Sequence, residues 1–183
     1  MRSIILVRCC RTEWNDKDRI QGTCDVPLND IGKKEAFNVA EQLKNKDISC
    51  VYSSCLSRAV ETAGTIGNAL NLKPVAMKEL NEMNQGVWQG LLLKGIKKRF
   101  TKKYKAWKQS PLSTNPPEGE TLKDVLARSI FAINKIAEKQ SGDICIVSHE
   151  IMLGCIKCYF MNLDLNTIWK QSLKSGTFEI LKV

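Results

Sequence analysis

The sequence predicts an α/β sandwich whose central sheet is mostly parallel and has one antiparallel edge. Short continuous apolar runs, typical of strands buried on both faces, alternate with longer segments whose apolar residues recur at helical spacing. Such alternation generally produces parallel strands that are connected by helices. Near the end of the chain, two apolar segments flank Lys174-Ser175-Gly176, which predicts a closing hairpin at the antiparallel edge.

The predicted elements begin with the strand 3–8, SIILVR, and a helix at 29–45 that follows a polar cap. The apolar face of this helix is assigned to Ile31, Ala36, Val39, Ala40 and Leu43. The later elements are, in order, strand 50–54, helix 57–70, strand 74–77, helix 119–139, strand 143–148, a helix from Glu150, and the closing strands 167–173 and 177–183. The proline-rich stretch SPLSTNPPEGE is predicted to be a loop.

A chain of 183 residues is most simply one domain, residues 1–183, and is long enough to bury a substantial core. Apolar residues at 43% and charged residues at 26% are ordinary globular values and argue against disorder. The apolar run before Arg8 is too short for a signal peptide or a membrane helix. We therefore expect a cytoplasmic protein without a membrane partner.

The eight cysteines are expected to be reduced thiols, because several lie inside apolar strand-like or helix-like runs. The pair Cys155-x-x-Cys158 is assigned to core packing, with metal or redox chemistry as the alternatives. One histidine and scattered cysteines predict no metal site and no cofactor. A strained disulfide between Cys9 and Cys10, acting as a redox switch, is a further alternative.

The formal net charge of +9 favours anionic partners. Segment 94–108 contains eight basic residues and no acidic one. Ile96, Phe100, Tyr104 and Trp107 fall on one helical stripe, which predicts a helix packed through that face with solvated lysines outside. The alternatives are a funnel or lid for an anionic substrate and, less favoured, contact with nucleic acid or an anionic membrane.

Polar, chemistry-capable residues follow three of the predicted strands. Arg8 ends the first strand, Arg58 comes shortly after the second, and His149, the single histidine, follows the strand 143–148. Ligands of such sheets collect at the carboxyl ends of the strands, so these side chains are expected to converge. Two arginines and a histidine form a suitable set for binding the oxygens of a phosphoryl group.

Five segments, taken in order along the chain, resemble motifs of the histidine phosphatase superfamily, the phosphoglycerate mutase-like proteins. They are LVRCCRTEWNDKDRIQGTCDVPLNDIGKKEA, VYSSCLSRAVETA, ELNEMNQGVWQG, PPEGETLKDVLAR and IVSHE. The first resembles the family signature Leu-Val-Arg-His-Gly-Glu-Thr, which is followed by Asn, Gln-Gly and Asp-x-Pro-Leu. The resemblance covers nearly the whole chain, favours the short phosphatase branch and implies a three-layer α/β/α sandwich.

The resemblance also implies roles for individual residues. In the family, the histidine of the first motif is the nucleophile and forms a phosphohistidine that water later hydrolyses. By position, Arg8, Arg58 and His149 would hold the phosphoryl oxygens, and Asn15 and Gln21 would add polar contacts. Glu82 would protonate the leaving oxygen and then activate water. The implied ligand is phosphate or a phosphorylated small molecule, and nucleic acid is disfavoured; the sequence carries no signal for oligomeric state.

Four residues depart from the family pattern, and the sequence predicts that they cluster at one site. Cys9 stands where the family has its nucleophilic histidine, Cys10 where it has the following glycine, and Arg11 where it has glutamate or glutamine. Glu150 stands where the family usually has glycine, which brings a negative charge near the phosphate pocket.

Three hypotheses about function follow from these departures. The first is a phosphoryl-binding protein with weak or lost phosphomonoesterase activity, because a thiol sulfur lies roughly 2 Å closer to the backbone than the imidazole nitrogen it replaces. The second is an active phosphatase in which Cys9, its pKa lowered by Arg8 and Arg58, is the nucleophile and Glu82 transfers the proton. The third is a noncatalytic module that recognises a phosphorylated metabolite or protein.

Overall fold

The computed structural model of the chain describes residues 3–182. The strands are β1 (Ser3–Arg8), β2 (Ile48–Ser53), β3 (Val75–Ala76), β4 (Asp143–Ser148) and β5 (Phe178–Lys182). The helices are α1 (Glu13–Asp16), α2 (Asp30–Leu43), α3 (Ser57–Leu70), α4 (Leu93–Arg99), α5 (Thr101–Gln109), α6 (Leu122–Ala137) and α7 (Glu150–Phe160). Short 3₁₀ helices lie at Lys78–Leu80, Gly86–Trp88 and Leu165–Gln171.

The five strands form one sheet in the order β3-β2-β4-β1-β5. The β3, β2, β4 and β1 strands are mutually parallel where they pair, and β5 runs antiparallel to β1. The prediction of a mostly parallel sheet with one antiparallel edge is therefore confirmed. In the register, Arg8 pairs with Ser148 and Ser53 with Val147, so β1, β4 and β2 end side by side in the middle of the sheet.

Helices cover both faces of the sheet because the strand side chains alternate between the two faces. Ile4 and Leu6 of β1 face a core that is shared with α6 and α7. Ile5 and Val7 face a second core that is shared with α2 and α3. The result is the three-layer arrangement that the resemblance implied.

The antiparallel edge does not arise from the predicted hairpin. The prediction of a strand at 167–173 is wrong, because most of these residues belong to the 3₁₀ helix Leu165–Gln171. The strand β5 pairs directly with β1 instead. Ile168 of this helix is buried against Gly154 of α7, where a Cβ would lie 2.7 Å from the Ile168 side chain. Packing against α7 thus overrides the apolar strand-like pattern. Val183, the last residue of the predicted closing strand, lies outside the described residues.

The basic segment 94–108 forms two helices instead of the single one predicted, and they meet at Phe100. Its apolar stripe packs inward as predicted: Ile96 and Trp107 are buried, and the Phe100 and Tyr104 rings lie 6.2 and 5.9 Å from the Trp88 ring. The eight basic side chains are exposed.

The prediction that Ile31 belongs to the buried face of α2 is wrong. Ile31 is 48% exposed, whereas Gly32 is buried beside it together with the four other predicted core residues. A Cβ on Gly32 would lie 2.0 Å from the carbonyl oxygen of Arg11, so the helix approaches this loop closely only because the position is glycine. The start of α2 is thereby fixed against the loop that follows β1.

Candidate functional site

A cleft of about 240 Å³ opens at the carboxyl ends of the central strands. All seven side chains predicted as site residues line it: Arg8, Cys9, Asn15, Gln21, Arg58, Glu82 and His149. They come from the ends of β1 and β4, the short helix α1 and the loop after it, the first turn of α3, and the loop after the first 3₁₀ helix. The parallel register of the strands is what brings residues so distant in sequence to one place.

Cys9 and His149 are in direct contact at the bottom of the cleft. The Cys9 Sγ lies 3.3 Å from His149 Nδ1, and His149 Nε2 lies 2.7 Å from Ser54 Oγ. The backbone fixes this geometry, because the N–H of Cys9 donates to Ser148 and the N–H of Ser54 donates to Val147. The three side chains form a buried row across the ends of β1, β4 and β2.

Burial determines the charge states of Cys9 and His149. Burial raises the pKa of the Cys9 thiol above its ordinary value, although the charges of Arg58 and Arg8 act in the opposite direction. Burial, followed by the charges of Arg58 and Arg8, lowers the pKa of His149 well below its ordinary value. With both groups neutral, the tautomer of His149 decides which group donates in each contact: an imidazole protonated on Nε2 accepts from the Cys9 thiol, and one protonated on Nδ1 donates to its sulfur.

We expect iodoacetamide to modify Cys9 more slowly than the exposed Cys55 at neutral pH, because the thiolate is the reactive form and burial disfavours it. Peptide mass spectrometry over a time course compares the two cysteines within one sample. The unfolded protein, in which both are accessible, is the control. Equal rates in the folded protein would contradict this account of the thiol.

Arg58 is held in place by the loop that follows α1. Its guanidinium donates to the carbonyl oxygens of Gly22 at 2.7 Å and Cys24 at 2.9 Å, and only 3% of the residue is exposed. No carboxylate of the described chain forms an ion pair with it. Arg58 therefore brings to the wall of the cleft a positive charge that no ion pair with a described residue occupies.

Arg8, in contrast, has an anionic partner. Its guanidinium lies 2.9 Å from the Glu150 carboxylate and also donates to the carbonyl oxygen of Leu173 at 2.5 Å. Glu150 additionally accepts a hydrogen bond of 2.5 Å from the Ser172 hydroxyl. One of the two predicted phosphate-binding arginines is thus engaged by a carboxylate of the same cleft.

Glu82 reaches the cleft from the loop after the first 3₁₀ helix and caps the start of α7. Its carboxylate accepts from the N–H groups of Met83 at 2.7 Å, Ile151 at 3.3 Å and Met152 at 3.4 Å. Burial raises the pKa of Glu82, while the hydrogen bonds from Met83 and Ile151 oppose the rise. A raised pKa favours the protonated acid, which suits a proton donor.

Asn15 and Gln21 both line the cleft, but their side-chain amide oxygens differ in hydrogen bonding. The Asn15 Oδ1 accepts from the N–H and the hydroxyl of Thr12, so only its NH₂ group is left for a ligand. The Gln21 Oε1 is buried, and no donor within residues 3–182 reaches it.

Two of the four departures from the family pattern lie elsewhere, so the prediction that all four cluster at one site is wrong. Cys10 packs among Leu28 and Ala36, and burial raises the pKa of its thiol to about 12. Arg11 turns toward α2, where it lies 3.3 Å from the Glu35 carboxylate. Only Cys9 and Glu150 line the cleft, because Cys10 is packed into the contact with α2 and Arg11 is held by Glu35.

Sequence reasoning missed several residues of the cleft. Arg19 lines it, donates to the carbonyl oxygen of Gly90 and lies 5.5 Å over the Trp14 ring. Asp18 and Gln85 also line it. The contact of Ser54 with His149 could have been anticipated, because β2 and β4 are parallel neighbours. No comparable sequence pattern indicated that Arg19 lies in the cleft.

Within residues 3–182, no three or more His, Cys, Asp or Glu side chains are grouped so that they could hold a metal ion. Cys155 and Cys158 are buried on α7, as predicted. Of the helices within the described range, none is both long and apolar enough to cross a membrane.

Known proteins resemble this chain over nearly its whole length. Residues 4–183 match the model of the histidine phosphatase superfamily (branch 1). The chain is 27% identical over 182 residues to phosphoserine phosphatase 1 of Hydrogenobacter thermophilus, which covers 99% of this chain and 86% of that protein. It is 32% identical over 168 residues to the probable phosphoglycerate mutase GpmB of Yersinia pestis, with coverages of 89% and 76%.

The fold comparison agrees. The solved structure of Bacillus stearothermophilus YhfR superposes with a TM-score of 0.93 at 25% identity, covering 100% of this chain and 92% of that one. The chain therefore belongs to the histidine phosphatase superfamily, and its homologues include phosphatases and phosphoglycerate mutase-like proteins.

Proposed function

We propose that this protein binds the phosphoryl group of a phosphorylated small molecule in the cleft and hydrolyses phosphomonoesters weakly or not at all. The observation that carries the proposal is the buried Cys9, which takes the position of the nucleophilic histidine in the family motif. The names of the relatives, a phosphoserine phosphatase and a phosphoglycerate mutase, support a phosphorylated small molecule over nucleic acid as the ligand.

Binding is supported by the charge of the cleft. Arg58 carries no ion pair with a described carboxylate, and Arg8 and Arg19 line the same space. Guanidinium groups bind phosphoryl oxygens in a bidentate fork, which fixes orientation as well as charge. The neutral His149 and the NH₂ group of Asn15 add polar contacts. These residues make up the proposed binding site.

Loss of turnover is supported by the state of Cys9. The thiolate is the nucleophilic form of cysteine, and burial raises the pKa of Cys9 so that the thiol is favoured. The sulfur also lies roughly 2 Å short of the reach of an imidazole nitrogen, and a 1 Å misplacement can cost about a hundredfold in rate. Without attack by Cys9 no covalent intermediate forms, so Glu82, the proposed proton donor, has no leaving oxygen to protonate.

A second candidate is an active phosphatase with Cys9 as nucleophile. It is favoured by Arg58 and Arg8, whose charges lower the pKa of this thiol against the larger effect of burial. An incoming phosphoryl group would bring a negative charge that weakens this help, because it neutralises the same two guanidinium groups. We therefore place this candidate second.

Two assays on wild type and Cys9→Ser test the proposal. Calorimetric titration with inorganic phosphate is expected to show binding to both proteins, and under reducing conditions both are expected to hydrolyse a chromogenic phosphomonoester at the same low rate or not at all. Hydrolysis by wild type that is lost in Cys9→Ser would instead establish the thiol phosphatase. Failure of both proteins to bind phosphate would reject the cleft as a phosphoryl site.

A further inference from the structure

Glu150 gives the cleft a feature that a site for a plain phosphate ester does not need. Its carboxylate lies 2.9 Å from Arg8 and accepts from Ser172, and its side chain keeps 37% of its surface exposed. A phosphoryl group that binds Arg8 through Nη2, the nitrogen in this ion pair, displaces the carboxylate, because both groups compete for the N–H donors of that nitrogen. The displaced carboxylate then lies beside the bound phosphoryl group.

After that displacement Glu150 has no ion pair left within residues 3–182, because Arg8 is the one basic side chain there that lies within ion-pair distance of it. Lys108 of α5 senses this charge, because Glu150 raises its pKa against the larger lowering effect of burial, but its ammonium lies 3.5 Å from the centre of the Trp169 ring and makes no ion pair with a described residue. Tyr104 and Glu82 also sense the charge of Glu150, but one is neutral and the other is acidic. The Ser172 hydroxyl donates a hydrogen bond to Glu150 but carries no charge.

A positive group on the ligand would complete this arrangement. We infer that Glu150 binds a cationic group of the ligand, so that the cleft selects phosphorylated amines, in which an ammonium lies a few atoms from the phosphoryl group. The arginines take the phosphoryl oxygens, and the carboxylate released from Arg8 pairs with the ammonium. This inference rests on the proposed function and names the ligand class of the same site.

The selection has a simple electrostatic reason. A purely anionic ester breaks the Arg8–Glu150 ion pair and leaves two like charges adjacent, whereas a phosphorylated amine exchanges one ion pair for two. An aminoalkyl phosphate should thus bind more tightly than the alkyl phosphate of the same length. The preference should decline as salt is added, because Glu150 is partly exposed.

O-phosphoethanolamine and ethyl phosphate are suitable probes, since they differ chiefly in the ammonium group. We expect wild type to bind O-phosphoethanolamine about two- to fivefold more tightly in calorimetric titrations, the range that a partly exposed ion pair provides. In Glu150→Gln the two affinities should become about equal, because ethyl phosphate binds better and O-phosphoethanolamine loses its partner. Glu138→Gln, an exposed residue outside the cleft, is the control for net charge.

Each other outcome counts against the inference. Equal affinities in wild type, or a preference that survives in Glu150→Gln, would overturn it. An equal gain for both probes in Glu150→Gln would mean that Glu150 only competes with phosphate. Loss of the preference in Asp18→Asn alone would place the ammonium at that other carboxylate. If wild type binds neither probe nor inorganic phosphate, the proposed function itself fails, which the phosphate titration detects separately.

Discussion

Replacing Cys9 with histidine is expected to raise phosphomonoester hydrolysis by about a hundredfold or more over wild type. Arg8, Arg58, His149 and Glu82 already line the same cleft, and an imidazole at position 9 extends from the bottom of that cleft toward them. The imidazole nitrogen would extend further from the backbone than the Cys9 sulfur does, and it is a nucleophile that does not depend on a buried thiolate. Steady-state hydrolysis of a chromogenic phosphomonoester measures the gain.

Matched variants make this result specific. Cys9→Ser should show no gain, and Arg58→Ala should remove the activity of Cys9→His. If Cys9→His binds phosphate but stays inactive, Glu150 is the remaining departure in the cleft, since Cys10 and Arg11 lie outside it. The double variant Cys9→His/Glu150→Gln should then hydrolyse the phosphomonoester. An inactive double variant that still binds phosphate would contradict our explanation of the lost turnover.

Replacing Arg58 with alanine is expected to weaken the binding of inorganic phosphate by about a hundredfold, or about 3 kcal/mol, because two charge-assisted hydrogen bonds are lost. Arg58 is the arginine of the cleft that is nearly fully buried and has no carboxylate partner in the described chain. The variant also leaves the carbonyl oxygens of Gly22 and Cys24 without this donor, so a lower melting temperature is expected as well.

The thermal effect and the binding effect are separable. Arg58→Lys keeps the positive charge but not the fork, and should bind phosphate with an affinity between those of wild type and Arg58→Ala. Circular dichroism confirms that each variant is folded at the temperature of the titration. A folded Arg58→Ala that binds phosphate within a few-fold of wild type would show that the arginine does not hold the phosphoryl group.

The location of the site could be predicted because it depends on simple geometry. Arg8, Arg58 and His149 follow strands whose apolar runs are evident in the sequence, and parallel strands bring their carboxyl ends together. The same reasoning failed at residues 167–173. Their apolar pattern fits a strand, but Ile168 packs against Gly154 of α7, and that contact between distant segments is not visible in a local pattern.

The charge relations within the site could be anticipated only in part. Glu150 was expected near the pocket, but its ion pair with Arg8 depends on the first turn of α7 meeting the end of β1 and on Ser172. The arginines beside Cys9 suggested a lowered pKa, whereas burial dominates and raises it. Burial depends on how completely the layers close over the strand end, which composition and spacing do not specify.

Phosphorus-31 NMR of wild-type protein mixed with a slight excess of a phosphomonoester would report binding and turnover in one experiment. We expect the resonance of the ester to shift or broaden on binding, with no growth of the inorganic phosphate resonance during incubation. Rapid release of inorganic phosphate or a new phosphorothiolate resonance, either of them absent in Cys9→Ser, would show that Cys9 is a working nucleophile and would contradict our account.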